Sequence, residues 1–254
     1  MVAQTRNSVL HLLGRALRKP GLVLPYMRRR LRNRRLWRSS GSHPEFYRQV
    51  MADDVVHKTP KGAVGTASED RWLAIGKLQF DYLTSHGLAR DDRLLDLGCG
   101  NLRAGWRFIE WLEPDRYTGV DISPEIVIEA NRTIVERGLQ EKRPEIRLFD
   151  GLDLGFLPAG AFDVVHAHSV FSHTPPEVVT TLLSEAFRLL KPGGFFDFTY
   201  NLSETDETWG FLAEDYYYPI EVIIGMATEA GFTAKPAEGW SYKQDKIRAV
   251  VPRT

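Results

Sequence analysis

Residues 94–100 constrain the fold more than any other part of the chain. They read Leu-Leu-Asp-Leu-Gly-Cys-Gly, a short apolar run that ends in two glycines. Gly98 and Gly100 have no β-carbon, so the chain can turn tightly there and a ligand can approach the main chain closely. Apolar residues then recur at helical spacing over residues 106–112. The pattern predicts a buried strand, a glycine turn and a helix, the front half of a nucleotide-binding βαβ unit.

The residues of this turn disfavour a pyrophosphate ligand. A dinucleotide fingerprint has glycines at its first, third and sixth positions, but the sixth position counted from Gly98 is Arg103. The turn also lacks the Gly-Lys-Ser/Thr ending of a phosphate-binding loop. Asp96 lies two residues before the first glycine, and a carboxylate there favours a positively charged ligand by Coulomb attraction.

Further strands end in acidic residues along the chain. Residues 117–122 and 146–151 read as the second and third strands, with Asp121 and Asp150 at their ends. Asp121 lies 21 residues after Gly100, where a carboxylate can accept hydrogen bonds from both hydroxyls of a ribose. Asp150 is placed to meet the amine of an adenine. The remaining predicted strands cover residues 162–168, 195–198, 236–241 and 246–251.

The first five of these segments, in this order, resemble a class I S-adenosylmethionine-dependent methyltransferase over residues 68–252. One departure is Leu102, which stands where the first motif usually has its third glycine. The run Gly-Cys-Gly-x-Leu-Arg-x-Gly is similar to a branch associated with small-molecule or glycan methylation. The resemblance is carried by Asp96-x-Gly98-x-Gly100, Asp121, Asp150 and the Leu-Lys-Pro-Gly-Gly turn at residues 190–194.

The resemblance implies a fold and a cofactor. The expected fold is α/β, a Rossmann-like, seven-stranded, mostly parallel sheet with helices on both faces and a basic helical N-terminal extension. The expected cofactor is S-adenosylmethionine, whose ammonium and sulfonium suit Asp96. No His/Cys/Asp spacing indicates a metal site. The predicted cofactor-binding residues are Asp96, Gly98, Cys99, Gly100, Arg103, Asp121, Ile122, Asp150, Gly151, His168 and Ser169.

His168 and His173 are the predicted catalytic residues. The methyl acceptor is expected above the end of the fourth strand, where residues 168–173 read His-Ser-Val-Phe-Ser-His. An imidazole titrates near neutral pH and suits the removal of a proton from a hydroxyl. The alternative for each residue is a structural histidine, hydrogen-bonded beneath the following helix.

The zero net charge of the chain hides a strong asymmetry. Residues 1–40 hold eleven Lys and Arg and no acidic residue, so residues 41–254 carry 22 basic and 33 acidic residues. Leucines at helical spacing over residues 8–18 and 22–37 predict a basic amphipathic extension. Three uses of it remain open: contact with an anionic membrane surface, contact with nucleic acid, and a tail that is solvated or folded against the acidic domain.

These observations divide the chain into three parts. Residues 1–40 are the basic extension, residues 41–67 a linker and lid loop, and residues 68–254 the methyltransferase domain. A lone cysteine, Cys99, allows no disulfide within the chain and fits a reducing compartment. The sequence has no apolar run of 18 residues, so it predicts no transmembrane helix. We expect a cytoplasmic protein, peripheral on the inner membrane face where the extension binds lipid.

The predicted function is transfer of a methyl group from S-adenosylmethionine to oxygen of a small molecule, sugar or lipid-linked glycan. One alternative is an RNA methyltransferase that uses the basic extension, and another is a membrane-tethered, cofactor-binding module without turnover. Residues 174–176 read Thr-Pro-Pro, which partly resembles the Asp/Asn-Pro-Pro-Tyr motif of enzymes that methylate amino groups of nucleic acids. They come six residues after His168, where that motif should begin, and this displacement disfavours a nucleic-acid acceptor.

Overall fold

The computed structural model describes residues 23–66 and 68–253. The predicted helical spacing over residues 8–18 lies outside the described residues. The described helices are α1 Val23–Ser39, α2 His43–His57, α3 Pro60–Ala63, α4 Glu69–Ser85, α5 Gly105–Trp111, α6 Pro124–Glu136, α7 Pro176–Leu189 and α8 Ile220–Glu229. The described strands are β1 Leu94–Leu97, β2 Tyr117–Asp121, β3 Glu145–Leu148, β4 Phe162–Ala167, β5 Leu190–Leu202, β6 Trp209–Phe211, β7 Asp215–Tyr218, β8 Thr233–Pro236 and β9 Asp245–Val250.

The central sheet is mostly parallel, as the sequence predicts. Strands β3, β2, β1, β4 and β5 lie side by side in that order and are parallel. Strand β9 pairs antiparallel with β5, and β8 pairs antiparallel with β9. These seven strands follow the predicted order, but β8 covers Thr233–Pro236 and not the predicted residues 236–241, with which it shares only Pro236. Because β1, β2, β3 and β4 are parallel, their carboxyl ends meet at one edge, where ligands of such sheets bind.

Helices cover both faces of the sheet. On one face, α7 and α8 bury residues such as Val179, Leu183 and Ile223 against the strands. On the other face, α4, α5 and α6 contribute a second core that contains Leu83 and Phe108. The side chains of β1 point alternately into these two cores, and all four of its residues are buried. This double burial explains the continuous apolar run of the strand.

Two strands exceed the predicted seven. Strand β5 continues for 13 residues, and its last two residues, Asn201 and Leu202, pair with Tyr217 and Tyr218 of β7. Strand β6 then pairs antiparallel with β7. Because β5 extends past the end of β4, its last residues do not pair with β4, and they pair with β7 of the β6–β7 hairpin instead. This hairpin lies at the same edge of the sheet as the carboxyl end of β5.

Residues 41–67, predicted to be a linker and loop, are largely helical. Ser42 caps α2 by accepting a hydrogen bond from the Glu45 amide, and Pro44 lies in its first turn, where proline is tolerated. Phe46 and Val50 of α2 pack against side chains of α1 and against the β6–β7 hairpin. The Gly, Pro and Lys content of this segment concealed the helix because burial against other elements, rather than intrinsic propensity, stabilises it. None of the described helices is both long and apolar enough to cross a bilayer.

The loop after β1 is held closely by α4. A β-carbon built on Gly76 of α4 would lie 2.0 Å from the carbonyl oxygen of Arg103. That oxygen belongs to the main chain, so it cannot move aside as the end of a flexible side chain would. Gly76 therefore permits close packing between this helix and the ligand-facing loop, although the first motif itself lacks its third glycine.

Gly76→Ala should destabilise the protein by at least about 2 kcal/mol, since the added methyl overlaps main-chain atoms. Gly225→Ala is the matched control, because Gly225 also lies within a helix and a β-carbon there meets nothing within 4 Å. It should raise the free energy of unfolding by up to about 1 kcal/mol through better helix propensity. Urea denaturation of both variants measures the two changes, and an unaltered midpoint for Gly76→Ala would contradict the steric argument.

Candidate active site

A cavity of about 760 Å³ lies at the carboxyl edge of the parallel strands. Its floor comes from the ends of β1, β2, β3 and β4, and α2 and α3 contribute another wall. Ten of the eleven predicted cofactor-binding residues line it, together with His173. The exception is Asp150. These ten residues are Asp96, Gly98, Cys99, Gly100, Arg103, Asp121, Ile122, Gly151, His168 and Ser169.

The glycine turn requires both of its glycines. Gly98 and Gly100 have φ angles of 71° and 58°, in the left-handed region that favours glycine. A β-carbon on Gly98 would also lie 2.5 Å from Cγ2 of Val170, in the loop after β4. The turn is therefore pressed against a neighbouring loop, and its main chain forms part of the cavity wall.

Asp121 is held in place by two main-chain amides. The amide of Gly100 donates to Oδ2 at 3.0 Å, and the amide of Ser123 donates to Oδ1 at 3.0 Å. Each carboxylate oxygen can accept a second hydrogen bond. The remaining acceptor capacity of a fixed carboxylate that lines the cavity fits the two hydroxyls of a ribose.

A carboxyl and a guanidinium lie near each other at the glycine turn. Burial raises the pKa of Asp96 to about 7, although the Tyr117 hydroxyl donates to Oδ2 at 2.7 Å and opposes this rise. Arg103 donates from Nη1 to the carbonyl of Val64 at 3.1 Å, and its buried Nε has no hydrogen-bond partner within residues 23–66 and 68–253. The two charged groups interact electrostatically. The Asp96 carboxyl suits an ammonium group, and the Arg103 guanidinium, with one N–H unpaired, suits a carboxylate. The methionine part of S-adenosylmethionine carries both groups.

Asp150 does not line the cavity, although the adjacent Gly151 does. Its side chain is 91% exposed, and it forms an ion pair with Arg48 of α2, Nη2 to Oδ1 at 2.6 Å. This ion pair lowers the pKa of Asp150. Arg48 also donates from Nε to the carbonyl of Ile122 at 3.0 Å, so it ties the loops after β2 and β3 together. The sequence contains no signal for this contact, because Arg48 lies in the predicted loop, 102 residues before Asp150.

His168 is buried among aromatic side chains. Its ring lies 5.9 Å from the ring of Trp240 and 5.4 Å from that of Tyr242. Among the residues that the structure describes, neither ring nitrogen has a hydrogen-bond partner. Burial, with a further effect of Arg103, lowers the pKa of His168 well below 6.5. These surroundings make the residue a poor proton acceptor and leave it as a neutral polar group beside the cavity.

His173 has the opposite surroundings. Its Nδ1 lies 2.7 Å from the carbonyl oxygen of Glu214 and 3.3 Å from Oδ1 of Asp215. Burial by itself would lower the pKa of His173, but the hydrogen bond and charge of Asp215 outweigh it, and the pKa is raised. Because a carbonyl accepts at Nδ1, that nitrogen carries the hydrogen in the neutral ring, and Nε2 is the nitrogen with a free lone pair. Sequence reasoning missed Asp215, which the β6–β7 hairpin brings to the site from 42 positions away.

Two arginines of α1 complete the wall behind His173. Arg29 donates from Nη2 to Oδ2 of Asp215 at 3.0 Å and from Nε to Oε2 of Glu214 at 2.9 Å. Arg32 donates to Oε1 of Glu214 at 2.6 Å and to Oδ1 of Asp54 at 2.6 Å. Burial opposes the ionisation of Asp215, but His173 and Arg29 outweigh it and lower the pKa of Asp215 to about 2. These two arginines are thus folded against the acidic domain, one of the three uses left open by the sequence.

Comparison with known proteins identifies methyltransferases. A family model described as a methyltransferase domain matches residues 95–196. The demethylmenaquinone methyltransferase of Leptospira interrogans is 29% identical over 163 residues, which are 62% of this chain and 64% of that protein. The 27-O-demethylrifamycin SV methyltransferase of Amycolatopsis mediterranei is 33% identical over 107 residues, 42% of this chain and 38% of that protein. The chain thus spans less than two thirds of the length of these curated relatives.

A solved structure shows the same fold. The magnesium protoporphyrin IX methyltransferase of Synechocystis PCC 6803, with bound S-adenosylmethionine, superposes with a TM-score of 0.63 at 17% identity. The match covers 84% of this chain and 98% of that chain. At this identity the likeness concerns the fold, so the roles of individual residues depend on the geometry described above.

Asp121→Ala should weaken S-adenosylmethionine binding by about tenfold to a hundredfold, because a charged acceptor of hydrogen bonds is lost. Isothermal titration calorimetry measures the dissociation constant. Asp115→Ala is the matched control: Asp115 precedes β2, whereas Asp121 ends it, and its carboxylate is exposed and paired with Arg143. The control should bind as the parent protein does. Unchanged affinity in a folded Asp121→Ala variant would refute the ribose assignment.

Proposed function

We propose that the chain is a class I S-adenosylmethionine-dependent methyltransferase that methylates a hydroxyl group of a polar small molecule, with His173 as the base. The observation that carries the proposal is the pairing of His173 with Asp215 at the cavity wall. A thiol or an activated carbon acceptor has less need of such a base, whereas an alcohol is only weakly acidic.

The cofactor end of the cavity is formed by residues of the parallel strands. Asp121 would hold the ribose, while Asp96 and Arg103 would hold the ammonium and carboxylate of the methionine part. When bound, S-adenosylmethionine supplies a methyl group on a positively charged sulfur. The main chain of the glycine turn shapes the wall beside it, and the burial of this region excludes water.

At the acceptor end, His173 holds and moves the proton. Nε2 takes up the proton that the acceptor hydroxyl loses, while Nδ1 keeps its hydrogen bond to the carbonyl of Glu214. Asp215 stabilises the resulting imidazolium, and Arg29 keeps Asp215 ionised. The ring of Tyr47 stacks on that of His173 with centroids 5.6 Å apart, which limits the orientations of the imidazole. The base is therefore fixed in position before the acceptor arrives.

The walls around His173 indicate the class of acceptor. Asn201, Tyr217 and Gln244 line the cavity in addition to the acidic pair. A polar, acidic wall edged by tyrosine favours an acceptor with several hydroxyls, such as a sugar, over a wholly apolar ring. The rifamycin enzyme among the relatives, whose name specifies an O-demethyl substrate, supports transfer to oxygen.

The base assignment predicts a pH profile. Because His173 must be unprotonated to accept a proton, kcat/KM should rise with pH through a pKa above 6.5, the direction in which the pKa of His173 is shifted. Asp215→Asn removes the charge that raises this pKa, so the inflection should move to lower pH. The profile is measured as acceptor-dependent formation of S-adenosylhomocysteine.

His173→Gln should lower kcat by about two to four orders of magnitude, the usual contribution of a general base. His168→Gln is the matched control, because the pKa of His168 lies well below 6.5 and its loss should not move the inflection. A His173→Gln variant with nearly parental kcat, or an inflection that Asp215→Asn leaves in place, would exclude His173 as the base.

Methyl transfer to oxygen itself is tested with a panel of sugars and other polyols. The expected product is heavier by one CH₂ and resists mild alkali, since an ether does not hydrolyse where a methyl ester does. Cofactor binding without any acceptor-dependent product would favour the alternative of a binding module without turnover. Methylated RNA in the same assay would favour the RNA alternative.

A further inference from the structure

Helix α1 has two faces of different character. Its inner face holds Asn33, Leu36 and Trp37 against the domain and includes the paired Arg29 and Arg32. The opposite side, here called the outer face, is exposed along the whole helix. The outer face consists of Leu24, Met27, Arg28, Leu31, Arg34, Arg35 and Arg38.

The outer face combines apolar and basic side chains. Leu24, Met27 and Leu31 are 61%, 43% and 65% exposed, in the first half of the helix. Arg34, Arg35 and Arg38 follow, and with Leu31 and Ser39 they line a shallow groove. Within residues 23–66 and 68–253, the four arginines of the outer face make no ion pair. Large exposed apolar side chains beside unpaired arginines favour a partner that accepts both.

We infer that the outer face of α1 binds an anionic lipid bilayer, with the helix lying in the plane of the membrane surface. A helix of this kind inserts its apolar side chains at the boundary of the acyl chains, while arginines pair with phosphate groups. The 17 residues of α1 extend about 25 Å, and the groove between its arginines suits phosphodiester headgroups.

Charge and apolar surface together favour an anionic bilayer over residues 1–22 or nucleic acid as the partner of the outer face. Residues 1–22 carry four basic residues and no acidic one, so their charge is not complementary to an arginine-rich face. Nucleic acid would pair with the arginines but would leave Leu24, Met27 and Leu31 in water. Residues 41–254 have an excess of eleven acidic residues, so an anionic surface would attract α1 and repel the remainder. The bilayer would therefore bind the protein in one orientation.

Membrane binding by the outer face does not depend on methyl transfer, although α1 contributes to both the outer face and the cavity wall. Arg29, on the inner face, lines the cavity, so the cavity wall and the docking face are opposite sides of α1. The experiment uses the full chain without cofactor. Vesicle flotation compares phosphatidylcholine alone with an equimolar mixture of phosphatidylcholine and phosphatidylglycerol.

The parent protein should float with the anionic vesicles and not with the neutral ones, and added salt should reduce its binding. Arg34→Glu/Arg35→Glu should lower the partition coefficient by more than about tenfold, given the attraction of each basic residue to an anionic leaflet. Leu24→Ser/Leu31→Ser should lower it as well. The matched control is Arg132→Glu/Arg143→Glu, which makes the same charge change at exposed positions outside α1 and should still float.

Absence of flotation with anionic vesicles would overturn the inference. So would equal loss in the control, which would show that net charge rather than the outer face is responsible. Retention of an RNA homopolymer that depends on Arg34 and Arg35, without vesicle binding, would assign the outer face to nucleic acid instead. Circular dichroism of each variant confirms that the reversed charges leave the fold intact.

Discussion

The hydrogen bond between the Gly100 amide and Asp121 is the contact on which the proposed cofactor end of the cavity depends. It joins the turn after β1 to the end of β2, so two adjacent strands share one ligand-facing surface. The left-handed conformation of Gly98 and Gly100 orients the amide, and the parallel arrangement of the strands brings the carboxylate to the same edge. The packing of α4 at Gly76 then presses the loop into place from outside.

A second buried contact organises the proposed acceptor end of the cavity. Glu214 is almost fully buried and is held by Arg29, Arg32 and Asn33 of α1. Its neighbour Asp215 pairs with both Arg29 and His173. A buried carboxylate is costly unless it is paired and hydrogen-bonded, so the hairpin of β6 and β7 and the helix α1 require each other. Helix α1 thus supplies part of the site with its inner face, and its outer face is left for another partner.

Much of the fold could be predicted from local patterns. The order of the first five strands, the glycine turn and the position of Asp121 at the end of β2 depend on short stretches of sequence, and the structure shows each of them. Asp150 was predicted to end the third strand, but β3 ends at Leu148. Helix α2 was missed because its stability comes from packing against α1 and the hairpin, and the short α3 packs against α2 and α6. Asp215 and Arg48 carry no local motif, since each acts on a residue 42 or 102 positions away.

By itself the sequence predicted the sheet and the resemblance to methyltransferases, because these depend on strand periodicity and on glycines whose conformations other residues rarely adopt. The tertiary structure decided which charged groups meet. It distinguished two nearby histidines, one buried among aromatic rings with a lowered pKa and one paired with Asp215 with a raised pKa. It also divided the arginines of α1 between an inner and an outer face. The physical reason is that electrostatic environment depends on burial and on distance between side chains, and neither is a property of local sequence.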